Sequence, residues 1–231
     1  AYASGATTVA GDLTLADNVA ANSVGGLKSS SLTVEGALVA TGNVAQNGEV
    51  GALETGAAVA KRGATFSNNS AAVSYGAAKL DSLDVFGALT VENNNAGGDI
   101  GGLGVTGAVK VSNYEMTIGE GEESTTETVY GDAIFRGNVA GGEYGALRAG
   151  SLEVGGSLVV ENNVVQNGRA GAINVVGDAV VGKDATFNGN KATTNDGAFY
   201  ATNLTVGGDL RAADNEATTG KGGALYLVET L

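Results

Sequence analysis

Asp184 and Asp209 stand 25 residues apart in equivalent places of a repeating pattern, with Asp12 and Asp132 in the same place farther off. Two carboxylates held close together are the equipment for cleaving a glycosidic bond, one as a proton-donating acid of raised pKa, the other as base or nucleophile. Here both lie in Gly-bordered turns, no aromatic platform for a sugar ring accompanies them, and the chain has no Trp. The chain also has no His and no Cys, which excludes a serine triad, a cysteine nucleophile and thiolate metal sites. No catalytic residue, no metal site and no cofactor is therefore predicted. A polysaccharide-active enzyme remains the second alternative.

Two other groups of residues could recognise a partner. Glu115, Glu120, Glu122, Glu123 and Glu127, with Tyr114, Met116 and Tyr130 near the edges, crowd one stretch that suits a basic or Ca²⁺-bridged ligand. Evenly spaced cation ligands are missing from it, so no defined calcium site is expected. Val24, Val50, Tyr75, Ile100 and Tyr144 precede successive Gly steps, followed by Ala170 before polarity returns at Asp196 and Lys221. By strand alternation this column faces outward, where an apolar stripe marks a protein contact unless a bend makes it shield a corner.

The elements that position these residues follow from a repeat. Asn18, Asn43, Asn69, Asn94, Asn138, Asn163, Asn190 and Asn215 each follow an apolar, any, apolar run and precede a small residue and a Gly-small-apolar step. Their spacings are 25, 26, 25, 44, 25, 27 and 25. A period of that size is the mark of a solenoid, in which each unit buries its apolar face against its neighbours. Apolar residues alternate within each unit, which is the strand period. Three short strands per unit result, typified by Leu158 and Val160, by Ile173, and by Leu152 and Val154.

The predicted fold is thus all-β: one single-stranded right-handed parallel β-helix over residues 1–231, about eight coils of about 25 residues with three short strands each, roughly 40 Å long at 4.8 Å per coil. A propeller blade needs about 40 residues or more, which sets that fold aside. The long gap places an insertion of about 19 residues within about 106–130. The Asn column is expected to be a structural ladder, with side chains serving their own turns and one another. The small residue two places on, from Ala20 to Ala217, is expected to fit an inward corner. Glu92, Arg136 and Glu161, and likewise Lys28, Glu54 and Lys79, share columns and predict outward cross-strand ion pairs of about 0.2–1 kcal/mol each. Thr14, Thr65, Thr90 and Thr186 share another column that Val39, Ile134, Val159 and Arg211 interrupt, too irregular for an ice-binding face.

Composition agrees. There are 39 Gly and no Pro among 231 residues, 43% are hydrophobic, and net charge is −13. Patterned Gly suits tight turns between strands, and an acidic surface is a poor partner for nucleic acid, which needs clustered Lys and Arg. No apolar run approaches the roughly 20 residues of a transmembrane segment, and the first residues lack the features of a signal peptide. The chain starts and stops inside a coil, so a segment of a longer helix, or a subunit that stacks end to end, is expected.

Phe66-Ser-Asn-Asn69, Phe135-Arg-Gly-Asn138 and Phe187-Asn-Gly-Asn190 match FxxN, and Gly222-Gly-Ala-Leu225 matches GGA followed by an aliphatic residue. Alternation of these motifs resembles the passenger β-helix of polymorphic outer-membrane proteins and of bacterial autotransporters. The likeness covers nearly the whole chain, with Phe in three coils and a single-Gly variant such as Gly145-Ala-Leu147 in most. It implies export, display on the bacterial surface and adhesion. The expected function is a structural, adhesive stalk without chemistry, extracellular, with a protein or glycan of a host or neighbouring cell as partner. A subunit of an extracellular fibre joined by strand pairing is the first alternative. The second, enzymatic alternative would take a pectin-lyase-like fold.

Overall fold

The structure is a computed structural model that describes residues 1, 3, 5–119 and 124–228. Among the described residues every regular element is a strand, and the chain winds about eight times into a β-solenoid of three parallel sheets. The first sheet stacks the strands Leu13–Ala16, Leu38–Thr41, Ala64–Ser67, Leu89–Glu92, Ala133–Arg136, Leu158–Glu161, Ala185–Asn188 and Leu210–Ala213. The second stacks two-residue strands from Val19–Ala20 to Glu216–Ala217, each beginning just after a repeat Asn. The third and largest carries the strands after the Gly step together with those of the SLTV type.

This layout differs from the three equal strands expected. The small residues Ala45, Ala71, Ala96 and Ala140 are buried as anticipated, but they belong to short strands rather than bare corners. The two remaining strands merge into one sheet because Leu53–Ala60 and Ala78–Phe86 run through the corner between them without a break. In other coils Ser29 and Ser30, or Thr106 and Gly107, interrupt the same path. A corner is thus kept or straightened by two residues, while the pairing on either side is unchanged.

Pairing is in register from end to end. Leu13 faces Leu38, then Ala64, Leu89, Ala133, Leu158, Ala185 and Leu210 in turn. The inward positions of these strands explain why FxxN appears in only some coils. Coils with Phe carry Ala two residues earlier, as in Ala64 with Phe66, Ala133 with Phe135 and Ala185 with Phe187. Coils without Phe carry Leu there, as in Leu38 with Ala40, Leu89 with Val91 and Leu158 with Val160. All these residues are buried, so large and small residues are exchanged within a coil and Phe never stacks on Phe in the column. Constant coil volume is what a close-packed interior demands. Full burial of each ring contributes about 1.5–3 kcal/mol.

The Gly-small-apolar step has a steric cause. A Cβ placed on Gly51, Gly76, Gly101, Gly145 or Gly171 would run into the carbonyl oxygen of the counterpart glycine one coil on. Backbones approach there too closely for any side chain, and the Ala that follows is fully buried at Ala52, Ala77, Ala146, Ala172 and Ala198. In the GGA motif of the last coil, Gly223 holds this column and Gly222, at φ 69°, precedes it in the left-handed region.

Candidate functional site

The aspartate column is a set of turn caps. Oδ1 of Asp184 accepts the backbone N–H of Asp209 at 2.8 Å, as Asp12 accepts that of Ala37 at 2.8 Å and Asp132 that of Ser157 at 2.7 Å. Asp184 and Asp209 are both exposed, and the second carboxylate of the pair meets Arg211 at 2.9 Å. The carboxylates of Asp12, Asp132 and Asp184 therefore hold the corner where the next coil enters the first sheet. That geometry explains why an Asp recurs at this position in so many coils.

The repeat Asn residues form one continuous amide ladder. Nδ2 of Asn18 donates to Oδ1 of Asn43, and the same step repeats through Asn69, Asn94, Asn138, Asn163, Asn190 and Asn215 at 2.8–2.9 Å. The second Nδ2 proton goes back to a first-sheet carbonyl of the preceding coil, as from Asn138 to Val91 and from Asn163 to Phe135, both at 2.9 Å. The same Oδ1 also accepts the backbone N–H of the preceding Asn, as in Asn94 to Asn138 at 3.1 Å. Both donors and both acceptor sites of each interior amide are filled. The orientation is fixed too, because a flipped amide would face donor to donor and acceptor to acceptor. Among the described residues no buried side-chain nitrogen or oxygen lacks a partner, so the ladder brings polar groups inside without the cost of an unmade bond. The ladder is thereby structural, and it has no free valence for a ligand.

The insertion is a two-stranded antiparallel hairpin, Tyr114–Ile118 with Thr125–Val129. Its residues lie within the expected 106–130 and begin after Ser112. Ala108–Ser112 is the regular strand of its coil, with Val109 facing Leu83 on one side and Leu152 on the other. The alternation in AVKVS is the same as in SLTV, and Gly107 adds one residue at the corner before it. The inserted residues are 113–130. At the neck, Oδ1 of Asn113 accepts the N–H of Gly131 at 2.7 Å. The Tyr114 ring packs on Gly87, where a Cβ would come within 3.1 Å of Cε1, and Lys183 Nζ sits 3.0 Å from the centre of the Tyr130 ring. The hairpin base is thus clamped to coils on both sides.

Strand pairing sorts the hairpin into two faces. Tyr114, Met116 and Ile118 oppose Val129, Glu127 and Thr125 on one, whereas Glu115 and Thr117 oppose Thr128 and Thr126 on the other. Met116 and Ile118 are exposed, at 39% and 46%. Glu115 accepts from Thr128 Oγ1 at 2.8 Å and Glu127 is exposed. Glu120, Glu122 and Glu123 lie outside the described residues. Beneath the apolar face is a shallow groove of about 290 Å³ against the first sheet, lined by Val39, Thr65, Thr90 and the exposed Arg62.

The apolar column lies on the outer side of the large sheet but is covered rather than exposed. Val24, Val50, Ile100 and Tyr144 are buried, with Tyr75 half-buried against them. Alternation misleads there because Tyr75, Ile100, Tyr144, Ala170 and Asp196 have φ between 51° and 62°, so none of them is in a strand. Ile100, Tyr144 and Ala170 make a second small core on the outer side of the large sheet, with Tyr75 packed on it. The last member of the column is Gly222 rather than Lys221, since the N–H of Gly197 donates to Gly222 as that of Gly171 does to Asp196. One extra residue in the final turn shifts the count.

Charged columns pair in part as expected. Lys28 meets Glu54 at 2.7 Å and Arg136 meets Glu161 at 3.0 Å. Lys79 turns away from Glu54 to Glu49 at 3.5 Å, and Arg136 pairs with Glu161 rather than Glu92. These pairs are largely exposed and contribute about 0–1 kcal/mol each. Sequence reasoning missed Arg169, whose Nη2 donates to Tyr144 Oη at 3.3 Å, and nearly buried Asp196 beside it. The bond to Tyr144 raises the Arg169 pKa, while burial raises that of Asp196 against the pull of Arg169. Asp196 had a signal, a charge interrupting an apolar column, whereas Arg169, one residue ahead of Ala170, had none. Compared with known protein families, with curated proteins and with solved structures, the chain matches none.

Proposed function

We propose that this chain is a surface-displayed β-helical stalk of a bacterial autotransporter-like protein, adhesive and without chemistry of its own, that carries the 113–130 hairpin away from its axis. The observation behind the reading is the contrast between a rod whose polar interior is fully occupied and one element that leaves it. The ladder and the aspartate caps use their hydrogen-bonding groups on the fold itself. The hairpin instead turns Met116, Ile118 and Tyr130 toward solvent on a clamped base, the arrangement of a recognition loop on a rigid scaffold. FxxN and GGA-aliphatic repeats support the family reading. No helix among the described residues is long and apolar enough to cross a membrane.

The test is deletion of residues 113–130 so that Ser112 joins Gly131. Ser112 stands opposite Phe86, which is followed directly by Gly87, so the deletion restores a connection the preceding coil already has. The melting temperature is expected to stay within a few degrees, and binding of the purified chain to intact cells to fall at least tenfold. Undiminished binding by a folded deletion variant would remove the hairpin from the adhesive role.

A further inference from the structure

Across the outer side of the large sheet runs a groove of about 330 Å³, a size at the lower end for small-ligand sites. Three rows of residues build it. Tyr75 and Ile100 precede the strand, Lys79, Gly104 and Arg148 are successive outward residues on three paired strands, and Asp81 and Thr106 follow at the corner.

The first row is held against its backbone preference. Tyr75 and Ile100 have φ of 51° and 62°, a region disfavoured for L-residues and most of all for a β-branched one. Gly222 serves at the same position in the last coil, so the turn itself demands no side chain. Strain kept where a glycine would relieve it points to use of the side chains. Gly104 then makes room for one of them: a Cβ there would strike Cε1 and Cδ1 of Tyr75. The aromatic ring is laid along the groove floor between two cations, with Lys79 Nζ 5.3 Å from its centre.

The second observation is Arg148. In a chain with 25 acidic and 12 basic residues, its guanidinium has no carboxylate partner among the described residues and meets only the Tyr144 ring at 5.8 Å. Arg136, Arg169 and Arg211 have one, and Arg62 is the other arginine without one among the described residues. At the far side, the Asp81 carboxylate accepts from Thr106 Oγ1 at 3.4 Å and is otherwise exposed. The groove thus offers a planar cation for a carboxylate, an aromatic and aliphatic floor for C–H groups, and a carboxylate with a hydroxyl for alcohols.

We propose that this groove binds a carboxylate-bearing sugar unit of the uronic-acid type. A pyranose uronate has one face of C–H bonds, one carboxylate and hydroxyls that donate as well as accept, which matches the three rows. An acidic peptide fits less well, because each amide N–H it could offer Asp81 comes with a carbonyl that only accepts, and Asp81 and Glu54 have no proton to give it. The net charge of −13 repels a long polyanion elsewhere along the rod, so a short oligomer suffices. The proposal rests on the adhesive reading and supplies it with a glycan partner at a site separate from the hairpin.

The experiment is calorimetric titration of the full chain with trigalacturonate, with its methyl ester, with a neutral galactose trimer and with a short polyglutamate. Saturable binding of trigalacturonate alone is expected, weakened at least tenfold by Arg148→Gln and by Tyr75→Gly. The glycine variant relieves its own backbone and keeps the fold even if the arginine variant does not. No saturable heat with trigalacturonate, equal binding of the ester or of polyglutamate, or full affinity in Tyr75→Gly each overturns the proposal. Cell binding by the hairpin-deleted chain, measured in parallel with and without trigalacturonate as competitor, separates this site from the hairpin.

Discussion

From the coil of Asn69 onward each coil turns twice through the left-handed region, and the two columns of turns follow different residue rules. Ahead of the ladder Asn stand Asp17, Gly42, Asn68, Asn93, Gly137, Asn162, Gly189 and Asp214, with φ of 54–65°. Ahead of the glycine column stand Tyr75, Ile100, Tyr144, Ala170 and Asp196, with φ of 51–62°. Backbone geometry is nearly the same, so the difference lies in where the side chain goes. In the first column, Oδ1 of Asn93 and of Asn162 lies 2.5 Å from where a Cβ of Gly137 and of Gly189 would be. Only short polar residues or none fit in that file, and these are also the residues that tolerate this conformation. In the second column the side chain spreads over the outer face of a sheet, where no neighbour in the file restricts its size. One corner is dictated by stacking, whereas the other is open to individual use.

The sharpest way to break the comparison is to attack the ladder that the first column feeds. Asn138→Leu keeps the branching of the side chain but leaves the Val91 carbonyl without its amide donor and the Asn94 N–H groups without their acceptor in a dry interior, and takes from Asn163 Oδ1 one of its two donors. Several unmade buried bonds are expected to cost about 3–5 kcal/mol, read as a melting temperature lower by about 10 °C. A loss under about 1 kcal/mol in chemical denaturation would mean that water reaches the ladder and that its bonds carry little.

A smaller effect tests the columns against each other. Gly137→Ala puts a Cβ against Asn93 Oδ1 at positive φ and is expected to cost about 1–2 kcal/mol. Ala170→Gly loses a buried methyl but relieves φ 55°, so the two terms nearly cancel and stability changes by less than about 0.5 kcal/mol. Equal losses in the two variants, measured by urea titration, would erase the distinction drawn between the corners.

The same contrast explains how far the sequence could be read. Stacking repeats one constraint eight times, so the Asn file, the Ala–Phe and Leu–Val exchanges and the strand register are written as period and alternation. Val109 and Val111 were hidden only because the hairpin after them blurred where the period resumed. The second column was misread because strand alternation was extended into a turn, and nothing in Tyr75 or Ile100 advertises a left-handed backbone. Arg148 has the opposite difficulty: its column was visible, but the lack of a carboxylate partner depends on which neighbours turn toward it, as Lys79 turning to Glu49 shows.

Asp196 provides the smallest and most specific test, because it places a charge in the open column where its neighbours are apolar. It is 3% exposed, next to Ala170, with Arg169 and Lys221 the cations at the groove it borders. Burial raises its pKa and Arg169 opposes the rise. The folded chain therefore holds this proton more tightly than the unfolded one, so stability from this group is fully present below the ordinary carboxylate pKa of about 4 and is lost as pH rises through the raised value. Asp196→Asn keeps a residue that tolerates φ 61° and removes the charge. Its melting temperature is expected to exceed that of the parent chain by about 1–3 °C at pH 7, with the gap closing toward pH 3. A constant gap at both pH values would assign the difference to turn preference rather than ionisation, and a lower melting temperature at pH 7 would show that the pairing with Arg169 outweighs burial.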